Sequence, residues 1–176
     1  MEKRELAQAI FKVAHLTGQF KLRSGLTSTE YFDKYRFESQ PRLLKAIAQQ
    51  MKALVPKDAQ VLAGLEMGGI PVATALALEC GLPAVFVRKK AKEYGTCRIA
   101  EGIESLKGLN VCVIEDVITT GGQVVISAED LRREGAIVQS VLCVISRQQG
   151  GEEALQKAGL QMTSLFTQEQ LKSASL

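Results

Sequence analysis

The sequence predicts an α/β fold in which a parallel sheet is flanked by helices, and two observations carry that expectation. From residue 60 onward, apolar strand-like runs alternate with helical stretches, an order that gives parallel strands joined by helical crossovers. The runs themselves, such as Val111-Cys112-Val113-Ile114, are continuously apolar, as burial on both faces of a sheet requires. A chain of 176 residues has the size of one domain with a sizeable core. No internal repeat, low-complexity segment or linker divides it.

Residues 2–16 place Leu6, Ile10, Val13 and Ala14 on one face at helical spacing, with Gly18 as the expected stop. Phe20 to Leu22 and Tyr31 to Asp33 flank the turn-rich Ser24-Gly25-Leu26-Thr27-Ser28, which predicts a small hairpin-like entry. Pro41 opens a second helix that runs to about Leu54, since proline fits the first helical turn. Then follow strand 60–65, helix 70–79, strand 84–88, strand 109–114, helix 122–134 and strand 137–145. For residues 167–176 the pattern leaves a packed helix and a frayed end both open. In a sheet of this kind ligands bind beyond the carboxyl ends of the strands, so the residues just after each strand carry most weight.

Composition excludes some classes. The net charge is +3, with basic residues scattered or in one short cluster, so the extended footprint of a nucleic-acid binder is not visible. A phosphate-rich small ligand is compatible with that balance. The four cysteines, Cys80, Cys97, Cys112 and Cys143, form no C-x-x-C pair and read as free thiols of a reducing compartment. Residues 1–10 are charged and lack the apolar core of a signal peptide, and no apolar run reaches bilayer-spanning length. The expected location is cytoplasmic.

The strongest signal is the run Val111 to Gly122, an apolar strand that ends in Glu115 and Asp116 and turns through Thr119-Thr120-Gly121-Gly122 into a helix. Glycines let a backbone approach phosphate closely, hydroxyls add donors, and a helix start aims unpaired N–H groups and partial positive charge at the same point. Two ionised carboxylates ahead of the turn accept hydrogen bonds only, which suits the hydroxyls of a ribose. A second signal is Arg88-Lys89-Lys90-Ala91-Lys92-Glu93-Tyr94-Gly95, followed by a polar stretch to Gly102 without periodicity. It predicts a long basic loop able to close over a pyrophosphate and keep water from an activated sugar; a solvated charged loop is the alternative. Gly64-Leu65-Glu66-Met67-Gly68-Gly69-Ile70-Pro71 repeats the strand, Gly turn and helix order, with proline in the first helical turn. Val144-Ile145-Ser146-Arg147 ends another strand with an arginine in a polar turn. The one histidine, His15, falls in the first helix by this reading and is assigned a structural or surface role.

These segments, with Phe20-Lys21-Leu22-Arg23-Ser24-Gly25-Leu26-Thr27-Ser28-Thr29-Glu30-Tyr31, resemble orotate phosphoribosyltransferases, members of the type I phosphoribosyltransferases with a Rossmann-like core. The resemblance implies one domain with a small N-terminal hood over residues 1–38 and a flexible catalytic loop over 88–102. It implies binding of 5-phosphoribosyl-1-pyrophosphate (PRPP) by Arg88, Lys89, Lys92, Tyr94 and the run Glu115, Asp116, Val117, Ile118, Thr119, Thr120, Gly121, Gly122 and Gln123. Within that run Glu115 and Asp116 take the ribose hydroxyls and Thr119 to Gly122 the 5-phosphate. Orotate falls to Thr119, Arg147, Arg23, Tyr31 and Phe32, and Arg88, Lys89 and Lys92 neutralise the leaving group. Mg²⁺ is implied as cofactor, held by the pyrophosphate of PRPP and by water and not by a dedicated protein site. The resemblance also implies a homodimer in which Lys89 acts across the interface.

The chain departs from the family pattern in places. Tyr94 stands where the loop usually has histidine, Arg23 where it has lysine, Met67-Gly68 where many relatives have Tyr-Lys, and Ser146 where an acid precedes the arginine. Tyr94 can donate a hydrogen bond to phosphate but cannot carry positive charge there. Two alternatives stay open: a phosphoribosyltransferase for another base, and a regulator that keeps the PRPP fold but binds nucleic acid.

Overall fold

The computed structural model describes residues 1–21, 25–90 and 98–174. Helix α1 (Lys3–Ala14) starts with the Glu5 carboxylate accepting from the Glu2 N–H and buries Leu6, Ala7, Ile10 and Ala14, the face read from the sequence. It stops earlier than expected. His15 is already extended, and His15–Lys21 form strand β1, paired antiparallel with β2 (Thr27–Phe32). Gly18 is therefore no helix stop: it lies inside β1, where the register slips between Thr17 and Phe20. Sheet pairing satisfies the backbone groups of this polar stretch, and helical spacing could not reveal a partner strand further along the chain.

The short helix α2 (Tyr35–Glu38) leads into α3 (Pro41–Met51) and a 3₁₀ turn at Lys52–Leu54. Then come β3 (Val61–Leu65), α4 (Gly69–Cys80), β4 (Ala84–Val87), β5 (Ala100–Glu101), β6 (Asn110–Ile118), α5 (Gly122–Arg133) and β7 (Ile137–Ser146). Gly81 ends α4 in the left-handed region at φ 72°, where a side chain would be strained. Helix α6 (Gly151–Lys157), strand β8 (Gln161–Thr167) and helix α7 (Gln168–Ala174) complete the described chain. The open question over residues 168–174 resolves as a helix, with Leu171 buried in the core.

The main sheet has six strands in the order β5-β4-β3-β6-β7-β8. All neighbours are parallel except β5, which runs antiparallel to β4. Alternate side chains of each strand feed two cores. On one face Leu62, Cys112, Ile114 and Leu142 meet α1, α3, α4 and α7; on the other Val61, Ala63, Val113 and Val141 meet α5 and α6. Fully burying each such aliphatic chain contributes about 1.5–3 kcal/mol, so both faces of the sheet must be covered. Burial also pushes the Cys112 thiol up to about 11, which leaves it inert as a nucleophile. Among the described residues no helix is long and apolar enough to cross a membrane.

The order β4-β3-β6-β7 contains a reversal: the chain leaves β3 toward one edge and leaves β6 toward the other. Such a switch point opens a crevice at the carboxyl ends of the two strands. Here the crevice is widened by unequal strand lengths. The β3–β6 pairing stops at Gly64 and Ile114, while β6 continues beside β7 to Ile118. Glu115 and Asp116 thus lie within a strand and not past its end, on the stretch whose β3-side neighbour has already turned away.

Candidate functional site

The turn after β3 closes tightly over that acidic pair. A Cβ on Gly69 would lie 2.4 Å from the Ile114 carbonyl oxygen, and one on Gly68 only 1.6 Å from Asp116 Oδ2 and 3.0 Å from Glu38 Oε1. No side chain fits at either position, so the glycines are there for close approach. Gly64 plays the same part between β3 and α4, with Ala73 Cβ 2.8 Å from its would-be Cβ.

Asp116 is fully buried, and its Oδ1 accepts the Val117 N–H at 2.5 Å. Its Oδ2 lies 2.6 Å from Lys34 Nζ. The Asp116 N–H in turn donates to Glu115 Oε1 at 2.9 Å. Glu38, buried at the end of α2, faces the same carboxylate. Burial, then the neighbouring Asp116, pushes Glu38 up to about 9, and the same two causes in the same order raise Glu115. Burial would raise Asp116 as well, but hydrogen bonds from Glu115, Glu38 and Lys34 outweigh it and hold Asp116 below the usual carboxylate range. For Lys34 burial pulls down, and its bond to Asp116 more than compensates. The cluster therefore holds one charge pair, Lys34 with Asp116, beside two carboxyls, Glu38 and Glu115, that burial and this neighbour raise above the usual carboxylate range.

Lys34 and Glu38 were not among the residues anticipated from sequence. Their spacing of four on Lys34-Tyr35-Arg36-Phe37-Glu38 puts both on one helical face, a signal that names a pair without naming the distant partner they share.

Past Ile118 the chain bends at Thr119 and Thr120, and Gly121 caps α5 at φ 75°. Helix α6 braces this turn from behind: a Cβ on Gly151 would lie 2.7 Å from the Thr119 carbonyl oxygen, and one on Gly121 3.1 Å from the Gly151 carbonyl oxygen. The turn is held rigidly at a helix start, the arrangement that receives phosphate. Val117 and Ile118 remain strand residues, Ile118 buried. Gln123 is exposed, and its amide donates to Ser127 Oγ at 3.4 Å along the helix.

Arg147 follows β7 directly, its N–H donating to the Ile118 carbonyl at 2.9 Å and its Nε to Gln168 Oε1 at 3.1 Å. The guanidinium lines a cavity of about 170 Å³ whose other wall is β2, including Tyr31 and Phe32. Three of the residues expected at the base, Tyr31, Phe32 and Arg147, thus line one cavity. His15 belongs to the same cavity, stacked on Phe11 at 4.6 Å and 3.5 Å from Glu30; it is a strand residue and not a helical one.

The basic segment is anchored at both described ends. The Arg88 N–H donates to the Ile99 carbonyl at 2.8 Å, Arg88 Nε lies 3.5 Å from Glu101 Oε1, and the Lys89 N–H donates to Glu66 Oε2 at 3.1 Å. Glu66 belongs to the turn after β3, so Lys89 lies next to the crevice. Part of the expected 88–102 loop is strand, since Ala100 and Glu101 pair with Val87 and Phe86 as β5. Arg23, Lys92 and Tyr94 lie outside the described residues.

A model of the phosphoribosyl transferase domain family matches residues 36–166, a span holding the crevice, the glycine turns and Arg147. The chain belongs to the phosphoribosyltransferase family. Among its relatives is the orotate phosphoribosyltransferase of a Nocardioides species, 50% identical over 96% of this chain and 94% of that one. The Halobacterium salinarum protein of the same name is 43% identical over 89% of each chain. Of solved structures, the Mycobacterium tuberculosis orotate phosphoribosyltransferase in complex with inorganic phosphate superposes with TM-score 0.86 at 30% identity, covering 97% of this chain and 98% of that one. An adenine phosphoribosyltransferase from Thermoanaerobacter pseudethanolicus, at 21% identity and TM-score 0.69 over 92% of this chain and 99% of that one, shares the fold.

Proposed function

We propose that this phosphoribosyltransferase moves ribose 5-phosphate from PRPP to N1 of orotate, giving orotidine 5′-monophosphate and pyrophosphate in pyrimidine biosynthesis. The observation that carries the reading is the joining of two subsites at the ends of β6 and β7. An acid pair with a braced glycine turn lies on one side, and an arginine-lined cavity under the hood on the other. The relatives named orotate phosphoribosyltransferase support the choice of base.

In this account Glu115 and Asp116 accept the ribose hydroxyls, and the Thr119 to Gly122 turn with the first N–H groups of α5 holds the 5-phosphate. Arg147 binds the orotate carboxylate through a charge-assisted fork, with Tyr31, Phe32 and Arg23 closing the base site. Departure of pyrophosphate leaves positive character at C1 of the ribose, so catalysis rests on neutralising the leaving group. Arg88, Lys89 and Lys92 supply that charge, with Tyr94 as a further hydrogen-bond donor, and Lys89 acts in the partner subunit of a homodimer. Orotate enters as an anion, so no general base is needed.

Magnesium fits the chemistry of the crevice, whose side-chain donors Glu115, Asp116, Thr119 and Thr120 are oxygens, the ligand type this hard ion takes. When bound, Mg²⁺ would be held mainly by the pyrophosphate of PRPP and by water and would supply charge neutralisation on the leaving group. A cytoplasmic setting agrees with the use of free thiols.

Base choice is tested by offering PRPP and Mg²⁺ with equal concentrations of orotate, uracil, adenine and hypoxanthine and separating the nucleotide products. The reading predicts orotidine 5′-monophosphate as the dominant product. Dominance of another nucleotide would move the assignment to that base, and PRPP binding with tight RNA or DNA binding but no product would favour a regulator.

A further inference from the structure

Asp116 is crowded from every side. Gly68 backs its Oδ2 so closely that a Cβ would sit 1.6 Å away, Glu38 flanks it, and Oδ1 is taken by the Val117 N–H. Lys34 Nζ covers Oδ2 at 2.6 Å, and of the two side chains it is the one that reaches solvent, 33% exposed against 0% for Asp116. A ribose hydroxyl that is to donate to Oδ2 must therefore displace the ammonium. Lys34 can yield: it sits between β2 and α2, its side chain is 33% exposed, and its flexible four-carbon stem carries three donors that can be redirected. It cannot simply be left alone, because an ammonium parted from its anion in a half-buried site is costly. PRPP brings anions of its own. The turn at Met67-Gly68 has no cationic side chain to meet them and, at Gly68, no room for one.

We propose that Lys34 is a PRPP-contacting residue that exchanges partners: it pairs with Asp116 until the ribose hydroxyls of PRPP take its place, and then contacts the pyrophosphate. Lys34 is in this way both an internal competitor for the ribose subsite and the cation that the glycine turn lacks. The inference rests on the PRPP reading above. The cluster agrees with it: Lys34 and Asp116 form the ion pair at 2.6 Å, burial beside Asp116 raises Glu38 and Glu115 above the usual carboxylate range, and the ammonium is the cluster's cation, there to meet incoming phosphate. Tyr35, whose ring centroid is 5.3 Å from Nζ, offers the alternative resting place, in which the ammonium would turn to the ring and make no contact with ligand.

The test is calorimetric titration of the full chain, wild type and Lys34→Gln, with PRPP, with magnesium pyrophosphate and with ribose 5-phosphate. The amide of Lys34→Gln can still donate to Asp116 but has no charge. Losing one charge-assisted contact to phosphate weakens binding by about ten- to a hundredfold, so PRPP and pyrophosphate should both fall by that factor. Ribose 5-phosphate should bind as well as before or better, and Lys34→Arg should restore pyrophosphate binding. A second readout uses wild-type protein: acetylation of Lys34, followed by mass spectrometry, should rise with ribose 5-phosphate and fall when PRPP is bound. Unchanged pyrophosphate affinity in Lys34→Gln, equal weakening of all three ligands, or labelling of Lys34 that ignores ribose 5-phosphate would each overturn the exchange. If wild type fails to bind PRPP at all, the functional reading fails first.

Discussion

Replacing Gly68 by alanine isolates the steric logic of the site. Gly68 has φ −70° and ψ −27°, an ordinary right-handed conformation that alanine adopts freely. On backbone grounds alone Gly→Ala would stabilise by about 0.4–1 kcal/mol, so any loss must come from contact. The added Cβ would lie 1.6 Å from Asp116 Oδ2 and 2.5 Å from its Cγ, where atoms in contact prefer about 3.5–4 Å. Asp116 must retreat by about 2 Å, and being fully buried between Val117, Glu38 and Lys34 it cannot do so without breaking its pair. Overpacking typically costs about 1–3 kcal/mol and breaking a buried pair about 3–5 kcal/mol; with the backbone gain subtracted, the least loss expected is the low end of that sum, about 3 kcal/mol. At about 2–4 °C per kcal/mol for a chain of this length, the melting temperature should fall by about 6–12 °C or more. Thermal and urea denaturation measure this directly, and PRPP affinity should fall with it because a ribose acceptor has moved. A Gly68→Ala protein within about 2 °C of wild type and with unchanged PRPP affinity would refute the close packing of the turn against Asp116.

Other perturbations separate the subsites. Gly151→Ala places a Cβ 2.7 Å from the Thr119 carbonyl oxygen and should displace the phosphate turn, lowering kcat/KM for PRPP at least tenfold while the KM for orotate stays near wild type in steady-state assays. Arg147→Ala should do the reverse, raising the KM for orotate by about ten- to a hundredfold through loss of a charge-assisted contact and sparing PRPP binding by calorimetry. Glu38 links stability to pH: its folded value is raised from 4.5 to about 9, so the unfolded chain releases a proton near 4.5 that the folded chain keeps. That stabilisation is complete below pH 4.5 and is lost as pH rises toward 9, by up to about 1.4 kcal/mol per pH unit. Glu38→Gln has no such loss, so urea denaturation should find it more stable than wild type at pH 8, with the advantage absent at pH 4.

Much of the architecture was legible because buried parallel strands announce themselves. Val61 to Leu65, Val111 to Ile114 and Val141 to Ile145 are apolar runs that a sheet covered on both faces explains; the order of the strands in that sheet, and with it the switch point, is set by the tertiary fold. Strand β8 was not legible, since Gln161-Met162-Thr163-Ser164 mixes polar and apolar residues, as an edge strand with one covered neighbour can. Helix α6 is too short, at 7 residues, for periodicity to register. In the site, the glycine turns and Arg147 were readable because each follows a strand, and the acid pair because it breaks the apolar run of β6 just before its turn. Lys34 and Glu38 were not, because their meaning lies in Asp116, far along the chain and reached only when the hood folds back on the sheet. The tolerances at Gly68 and Gly151 likewise depend on what the tertiary fold brings behind them.

The central claim is transfer from PRPP to orotate, and one measurement addresses it most directly. Purified protein is mixed with PRPP, Mg²⁺ and orotate, and the loss of orotate absorbance is followed alongside pyrophosphate release. The account predicts that orotate disappears and pyrophosphate appears in equal amounts, both dependent on protein and on PRPP. Pyrophosphate released with no loss of orotate, or PRPP bound with neither change, would contradict it.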